Sequence, residues 1–180
     1  MILCMVFAAA ASCAPVQTYR DSQMDFGAIT TVAVMPFQNL TRDQVGADRV
    51  RDVFMTMLLA SGGVYVVPSG EVAKGMGLTG VSNPTTPSTD EIIKLGKQLK
   101  ADAVITGVVR EYGEVRSGAA AANVISLSLQ MTETQTGKVV WSTSVTEGGV
   151  SILDRLFGGG GEPMNVVTEK AVKHVITKLF

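Results

Sequence analysis

The sequence predicts an α/β fold: a three-layer-like sandwich in which helices flank a mixed β-sheet of about five strands. Three observations carry this. Two apolar, β-branched runs, ITTVAVMPF at 29–37 and ADAVITGVV at 101–109, are separated by segments of helical periodicity, an order that implies crossover connections and some parallel pairing. A strictly alternating run, NVISLSLQMTE at 123–133, is followed by a glycine turn and a second β-rich run, which reads as an antiparallel hairpin. The 180 residues, 46% of them hydrophobic, suffice for one domain with a sizeable core and are crowded for two.

The elements can be justified in order. ITTVAVMPF is continuously apolar and stopped by Pro36, which suits a strand buried on both faces. Within QNLTRDQVGADRVRDVFMTMLLASGG, residues Val50, Val53, Phe54, Met57 and Leu58 recur at helical spacing, and Gly62–Gly63 ends the helix. VYVV at 64–67 is a short strand closed by Pro68. A weak helix, GEVAKGMGL, leads into TGVSNPTTPSTD, a loop rich in Pro, Ser and Thr. Thr89 or Asp90 is expected to cap the next helix, DEIIKLGKQLK, whose Ile92, Ile93, Leu95 and Leu99 form an apolar stripe.

ADAVITGVVREYGEV then reads as a third, longer strand, and SGAAAA as a small-residue linker. In the alternating run, Val124, Ser126, Ser128 and Gln130 share one face and Ile125, Leu127, Leu129 and Met131 the other, the mark of a half-buried strand. TQTGK turns the chain with Gly137 where positive φ is wanted, and KVVWSTSVTE returns antiparallel. Trp141 on that strand is assigned to the core or the sheet surface. A last helix from Pro163 carries Val172, Val175, Ile176 and Leu179 on one stripe.

The N-terminus has a different character. MILCMVFAAAAS, residues 1–12, is uncharged, and the first charged residue is Arg20. A spanning helix takes roughly 20 residues, so this run has the length of a signal-peptide h-region instead. No basic n-region precedes it, and translation is expected to begin a few residues upstream. Ala10-Ala11-Ser12-Cys13 supplies the small residues that a narrow lipoprotein signal-peptidase cleft accepts, although Ala10 stands where Leu is commonest. The Cys13 thiolate is then the nucleophile that takes a diacylglyceryl group. The competing reading is a buried cysteine at the end of an apolar helix.

If Cys4 leaves with the signal, Cys13 is the single cysteine of the mature chain and no disulfide can form. Residues 13–28 are polar and aperiodic and are expected to form a lipidated tether ahead of one α/β domain at 29–180. Acyl chains, at about 0.8 kcal/mol per buried methylene, make such an anchor effectively permanent. Ala14, rather than Asp, follows the cysteine, which favours the outer over the inner membrane.

The remaining chain offers little chemistry. Fifteen basic and sixteen acidic residues give a net charge of −1 with no basic stripe, which argues against nucleic-acid binding. The single histidine, His174, is expected to be solvated on a helix face. No second His or Cys stands at metal-ligand spacing, so neither metal nor cofactor is expected. GGGG at 158–161 lacks the following Lys-Ser/Thr of a phosphate loop, and Glu111 with Glu114 reads as a solvated rim.

An enzyme is therefore not expected; a hydrolase or periplasmic ligand-binding domain would need a pocket of convergent polar groups. One stretch stands out. In SILDRLFGGGG, Ile152, Leu153, Leu156 and Phe157 lie between two glycine clusters. They form either a short helix against the sheet or an apolar loop that touches lipid headgroups or a neighbouring subunit.

VAVMPFQNLT after a tether, ADAVITGVV after a helix, and a hairpin containing TGKVVWS together resemble the superfamily of the curli secretion lipoprotein (CsgG). The N-terminal domain of TolB shares that domain plan. The resemblance covers roughly residues 29–180. In the curli channel two long insertions close into a barrel; here their places hold only EYGEVRSGAAAAN and EGGVSILDRLFGGGGEP. Neither holds two strands of about ten alternating residues, so an autonomous pore is not expected.

Among the barrel-less members the chain looks most like the PelC family of Pel exopolysaccharide export. That resemblance implies a homo-oligomeric ring on the periplasmic face of the outer membrane, in contact with its lipid. Such a ring would gather a cationic polysaccharide cargo toward a separate outer-membrane barrel export protein. The alternative that the same fold would serve is an accessory lipoprotein of a curli-like or other protein secretion system.

Overall fold

The computed structural model describes residues 18–118, 120–150 and 161–179. Strands Thr18–Arg20 (β1), Thr31–Val34 (β2) and Gln38–Asn39 (β3) precede helix Gly46–Ala60 (α1), and strand Tyr65–Val66 (β4) follows. Helices Ser69–Thr79 (α2) and Thr89–Leu99 (α3) lead into three long strands, Ala103–Ser117 (β5), Ala120–Glu133 (β6) and Val139–Gly148 (β7). Helix Met164–Leu179 (α4) ends the described chain.

The strands form one seven-stranded sheet in the order β1-β7-β6-β5-β2-β4, with β3 pairing on β5 beyond β2. β2 is parallel to both β4 and β5, because helical crossovers connect them. The β5–β6 and β6–β7 pairs are antiparallel, as is β1 on β7. The expected α/β sandwich with a mixed sheet is thus observed, with two more strands than the sequence reading supplied.

Alternation along β2 sorts the core into two layers. Val32 and Val34 point to one face and pack with Phe54 and Leu58 of α1, Ile105, Leu127, Leu129, Trp141 and the Val172 and Val175 stripe of α4. Ala33 and Met35 point to the other face and pack with Val72, Ile92, Leu95 and Val104 under α2 and α3. Trp141 is fully buried, and its indole N–H donates to the Lys178 carbonyl oxygen at 3.1 Å near the end of α4. Gly137 turns β6 into β7 with φ of 72°, the left-handed conformation that favours glycine.

Three expectations are corrected. Residues 18–28 are not free tether. β1 adds to the sheet edge, and Arg20 donates to the Leu179 carbonyl oxygen at 2.5 Å while lying 3.7 Å over the Phe26 ring. A cation satisfying the carbonyl end of α4 explains why this polar segment folds back. SGAAAA is not a linker either: β5 runs to Ser117 and β6 begins at Ala120. A Cβ placed on Gly161 would meet the Ala122 Cβ at 2.5 Å, so the small side chains mark a close crossing of backbone.

The cap of α3 is Ser88, one residue before the earliest position expected. Its hydroxyl accepts from the Glu91 N–H while the Glu91 carboxylate accepts from the Ser88 N–H, a reciprocal capping box.

Candidate functional site

α2 and α3 cover only the β2–β4 side of their face of the sheet, since their buried partners are Ala33, Met35 and Val104. Among the described residues no helix covers the same face of β5, β6 and β7. Register brings Thr106, Gln130 and Ser142 into one cross-strand row and Val108, Ser128 and Ser144 into the next. Ser126 and Thr146 face each other beyond them, with hydroxyls 3.1 Å apart. Tyr19 of β1 stands opposite Ser142 at the edge and is 52% exposed.

The first two of these rows, with Tyr19, floor a groove of about 960 Å³, rimmed by Thr85, Thr86 and Pro87 of the α2–α3 loop. The rim is held by Glu91. One carboxylate oxygen accepts from the Ser82 N–H and hydroxyl at 2.8 and 2.7 Å, and the other from the Ser88 N–H and hydroxyl at 2.7 and 2.9 Å. Hydrogen bonds to the ionised form, the Ser82 N–H foremost, lower its pKa from the usual 4.5 to about 2.

The centre of the groove is Arg110. β5 and β6 slip register between Val109 and Glu111, which leaves Arg110 as the extra residue of a β-bulge. Arg110 keeps the face of Thr106 and Val108, and the bulge brings Glu111, paired with Ser126, round to that same face. The guanidinium Nη1 donates to Ser128 Oγ at 2.6 Å and to Ser144 Oγ at 3.3 Å, and those two hydroxyls lie 2.9 Å apart. Among the described residues Arg110 is the only charged side chain lining the groove. Among the described residues no carboxylate lies within ion-pairing distance of it. The groove therefore presents one fixed positive charge amid hydroxyls that can donate or accept.

A second feature sits at the end of the sheet where β7 finishes. The Gly149 N–H donates to the Asn123 carbonyl oxygen at 2.8 Å, the Gly161 N–H to Ala121 at 3.2 Å, and Asn123 Nδ2 to the Glu162 carbonyl oxygen at 2.8 Å. Both ends of the 151–160 segment are therefore fastened to the start of β6, beside the tip of the β5–β6 hairpin. β1 runs antiparallel to β7, pairing Thr18 with Thr143 and Arg20 with Trp141, so its first residue faces this same end. Five residues reach about 17 Å at most, close to the rise of a strand from Thr143 to Gly148.

The residues singled out by sequence divide accordingly. Cys13, Ile152, Leu153, Leu156 and Phe157 lie outside the described residues. Glu114 pairs with Arg116 at 2.7 Å on the exposed hairpin, as a solvated rim would. His174 departs from expectation: its Nδ1 lies 2.8 Å from Glu147 Oε1, joining α4 to the end of β7. Among the described residues no group of His, Cys, Asp or Glu could hold a metal ion, and no helix is long and apolar enough to cross a membrane.

Arg110 and Glu91 escaped the sequence reading. Their signals were present: Ser88-Thr89-Asp90-Glu91 is a capping-box string, and SLSLQ beside STSVT puts two polar strand faces on one side.

A family model described as the peptidoglycan-synthase activator LpoB matches residues 8–146. No curated protein matches the chain. Among solved structures the chain is similar to a PelC dodecamer from Paraburkholderia phytofirmans, with 16% identity over 91% of this chain and 97% of that one, and a TM-score of 0.61. It is similar to the lipoprotein GNA1162 from Neisseria meningitidis, 21% identical over 83% and 97% of the two chains, with a TM-score of 0.58. The LpoB C-terminal domain from Salmonella enterica follows at 16% identity over 70% and 86%, with a TM-score of 0.51. At these identities the likeness is one of fold. The PelC-like fold implied by the sequence motifs is observed, and the family match adds a relationship that those motifs did not disclose.

Proposed function

Because this chain belongs to the family of the peptidoglycan-synthase activator LpoB, we propose that it is an outer-membrane lipoprotein, anchored through Cys13, that serves envelope polysaccharide machinery without catalysing a reaction. The observation that carries this reading is convergence. Both fastened ends of the segment holding Ile152, Leu153, Leu156 and Phe157 lie at the end of the sheet where β7 finishes, and β1, which begins opposite Thr143 five residues after Cys13, has its N-terminus directed toward that end. An acylated cysteine reaching that end would share it with the apolar residues of the 151–160 segment, giving the domain one membrane-facing side. The rest of the domain then faces the periplasm.

In the finer form of the proposal, copies assemble into a ring beneath an outer-membrane barrel export protein and assist exopolysaccharide export of the Pel type. Support comes from the near-complete overlap with PelC, whose solved structure is a dodecamer. Mass spectrometry of protein recovered from its host's envelope tests the anchor: Cys13 should be acylated and residues 1–12 absent, and a Cys13→Ser variant should leave the membrane fraction. A bare thiol behind an intact leader would refute the anchor. Sizing and electron microscopy in lipid nanodiscs test the ring, and a strict monomer at high concentration would refute it.

The family match favours a second reading, a contact activator of a peptidoglycan synthase. Faster glycan polymerisation by the host's purified synthase on adding the protein would select that reading. An unchanged rate, together with a ring, would select export.

A further inference from the structure

We propose that the groove over β5, β6 and β7 is a binding site for a carboxylate-bearing oligosaccharide, with Arg110 as its charge anchor. The inference rests on the groove's own geometry and is independent of the anchor and the ring. The floor is the face of a sheet, not its edge, so its backbone N–H and C=O groups are already paired in the β5–β6 and β6–β7 ladders. What remains to a ligand are side-chain hydroxyls and an amide, from Thr106, Ser128, Gln130, Ser142 and Ser144, beside the apolar side chains of Ile92 and Val108.

That lining fits a ligand rich in hydroxyls. An extended peptide is usually recognised through a free strand edge or apolar side-chain pockets; β5, β6 and β7 are paired on both sides, and the edge strand at the groove, β1, offers only Thr18–Arg20. At about 960 Å³ the groove lies at the upper end of the range for small-ligand sites and suits an oligomer over a single sugar. Tyr19, half-exposed at one side, offers a flat apolar surface for the C–H face of a sugar ring.

Charge narrows the class further. Among the described residues the Arg110 side chain hydrogen-bonds the Ser128 and Ser144 hydroxyls, through Nη1. The other guanidinium nitrogens keep their donors free of side-chain hydroxyls and carboxylates among the described residues, and a planar fork of this kind matches a carboxylate. One fixed cation complements one acidic group per binding register, which a uronic acid or a lactyl-substituted amino sugar supplies. The Ser128 and Ser144 hydroxyls, bonded to each other at 2.9 Å, hold the guanidinium in place before any ligand arrives.

Isothermal titration of the full chain in detergent tests this with three probes: a hyaluronan tetrasaccharide, neutral chitotetraose and tetraglutamate. The acidic tetrasaccharide should bind, chitotetraose roughly tenfold or more weakly, and Arg110→Gln should lose roughly tenfold or more for the acidic probe alone. Paired Ser128→Ala and Ser144→Ala should weaken binding a few-fold by leaving the guanidinium free to swing. Arg110 is exposed, so the Gln variant should melt with the parent, which a thermal scan confirms before titration. Absent binding of the acidic tetrasaccharide, equal binding by the Gln variant, or tighter binding of tetraglutamate would each overturn the proposal. So would an oligomer that dissociates on Arg110→Gln, because the groove would then be filled by a second copy.

Discussion

Gly148 is the position at which the fold and the fastening of the 151–160 segment are most directly coupled. It closes β7 opposite Val124, with φ of 84°, and a Cβ placed there would sit 2.1 Å from the Asn123 carbonyl oxygen and 2.9 Å from the Val167 Cγ1. Two penalties follow for Gly148→Ala. Left-handed backbone costs a non-glycine residue roughly 1–2 kcal/mol. The clash is with backbone that is itself tied to Glu162 through Asn123 Nδ2, and overpacking of this kind costs about 1–3 kcal/mol more.

The neighbouring Gly149 separates the two penalties, because its φ of 93° is equally left-handed but a Cβ there meets nothing within 4 Å. Gly149→Ala should therefore lose only the conformational part. Gly148→Ala should lose about 2–5 kcal/mol in total, a drop of very roughly 5–15 °C in melting temperature for a chain of this size. Urea and thermal melts of both variants measure the difference. Hydrogen exchange should show Ala121 and Asn123 opening more readily in Gly148→Ala than in Gly149→Ala. Equal destabilisation by the two would refute the argument that close backbone approach at the β7–β6 end fastens the segment.

Other outcomes are expected as follows. The Glu91, Asp102 and Glu133 carboxyls all have lowered pKa values. For Glu91 the leading cause is the Ser82 N–H; for Asp102 and Glu133 burial pushes upward but is outweighed by hydrogen bonds from Thr30 and Thr31, and from Thr136 and Gln135. The unfolded chain thus takes up protons first as pH falls, so the stability they contribute is complete above about pH 4.5 and declines as pH drops toward the folded values. Melts against pH should show this, and the gap between the parent and Glu91→Gln should be largest above about pH 4.5 and close as pH falls toward 2. A gap independent of pH would count against the staple. Trp141→Phe should cost about 1–3 kcal/mol, since it opens a cavity and leaves the Lys178 carbonyl oxygen without its donor. Denaturant titration reads this directly. Phe157→Asp in a Cys13→Ser background should reduce co-sedimentation with phospholipid vesicles if the apolar segment meets lipid, and unchanged sedimentation would argue for a subunit contact instead.

Much of this fold is legible along the chain because the signals are local and periodic. The apolar stretch of β2, the alternation of β6, the turn at Gly137 and the stripe of Val172, Val175 and Leu179 each report on neighbours within a few residues. Ser88 belongs to the same class, since its box with Glu91 was spelled in the sequence and was assigned one or two residues late. The alanines at 120–122 illustrate the opposite case. Small residues in a row look like a linker until the chain near Gly161, some forty positions on, is found lying across them.

The sequence by itself determined which strand faces are polar, where the helices bury their stripes, and that a cysteine behind small residues stands ahead of the domain. Tertiary structure alone decided that the polar faces of β6 and β7 align beside a bulged Arg110, and that α2 and α3 stop short of covering them. It also drew the polar residues Thr18–Arg20 into the sheet edge. The physical reason is that hydrophobic periodicity specifies which side of an element avoids water. Whether the other side meets solvent, ligand or another part of the chain depends on contacts between residues far apart in sequence, such as Asn123 with Glu162.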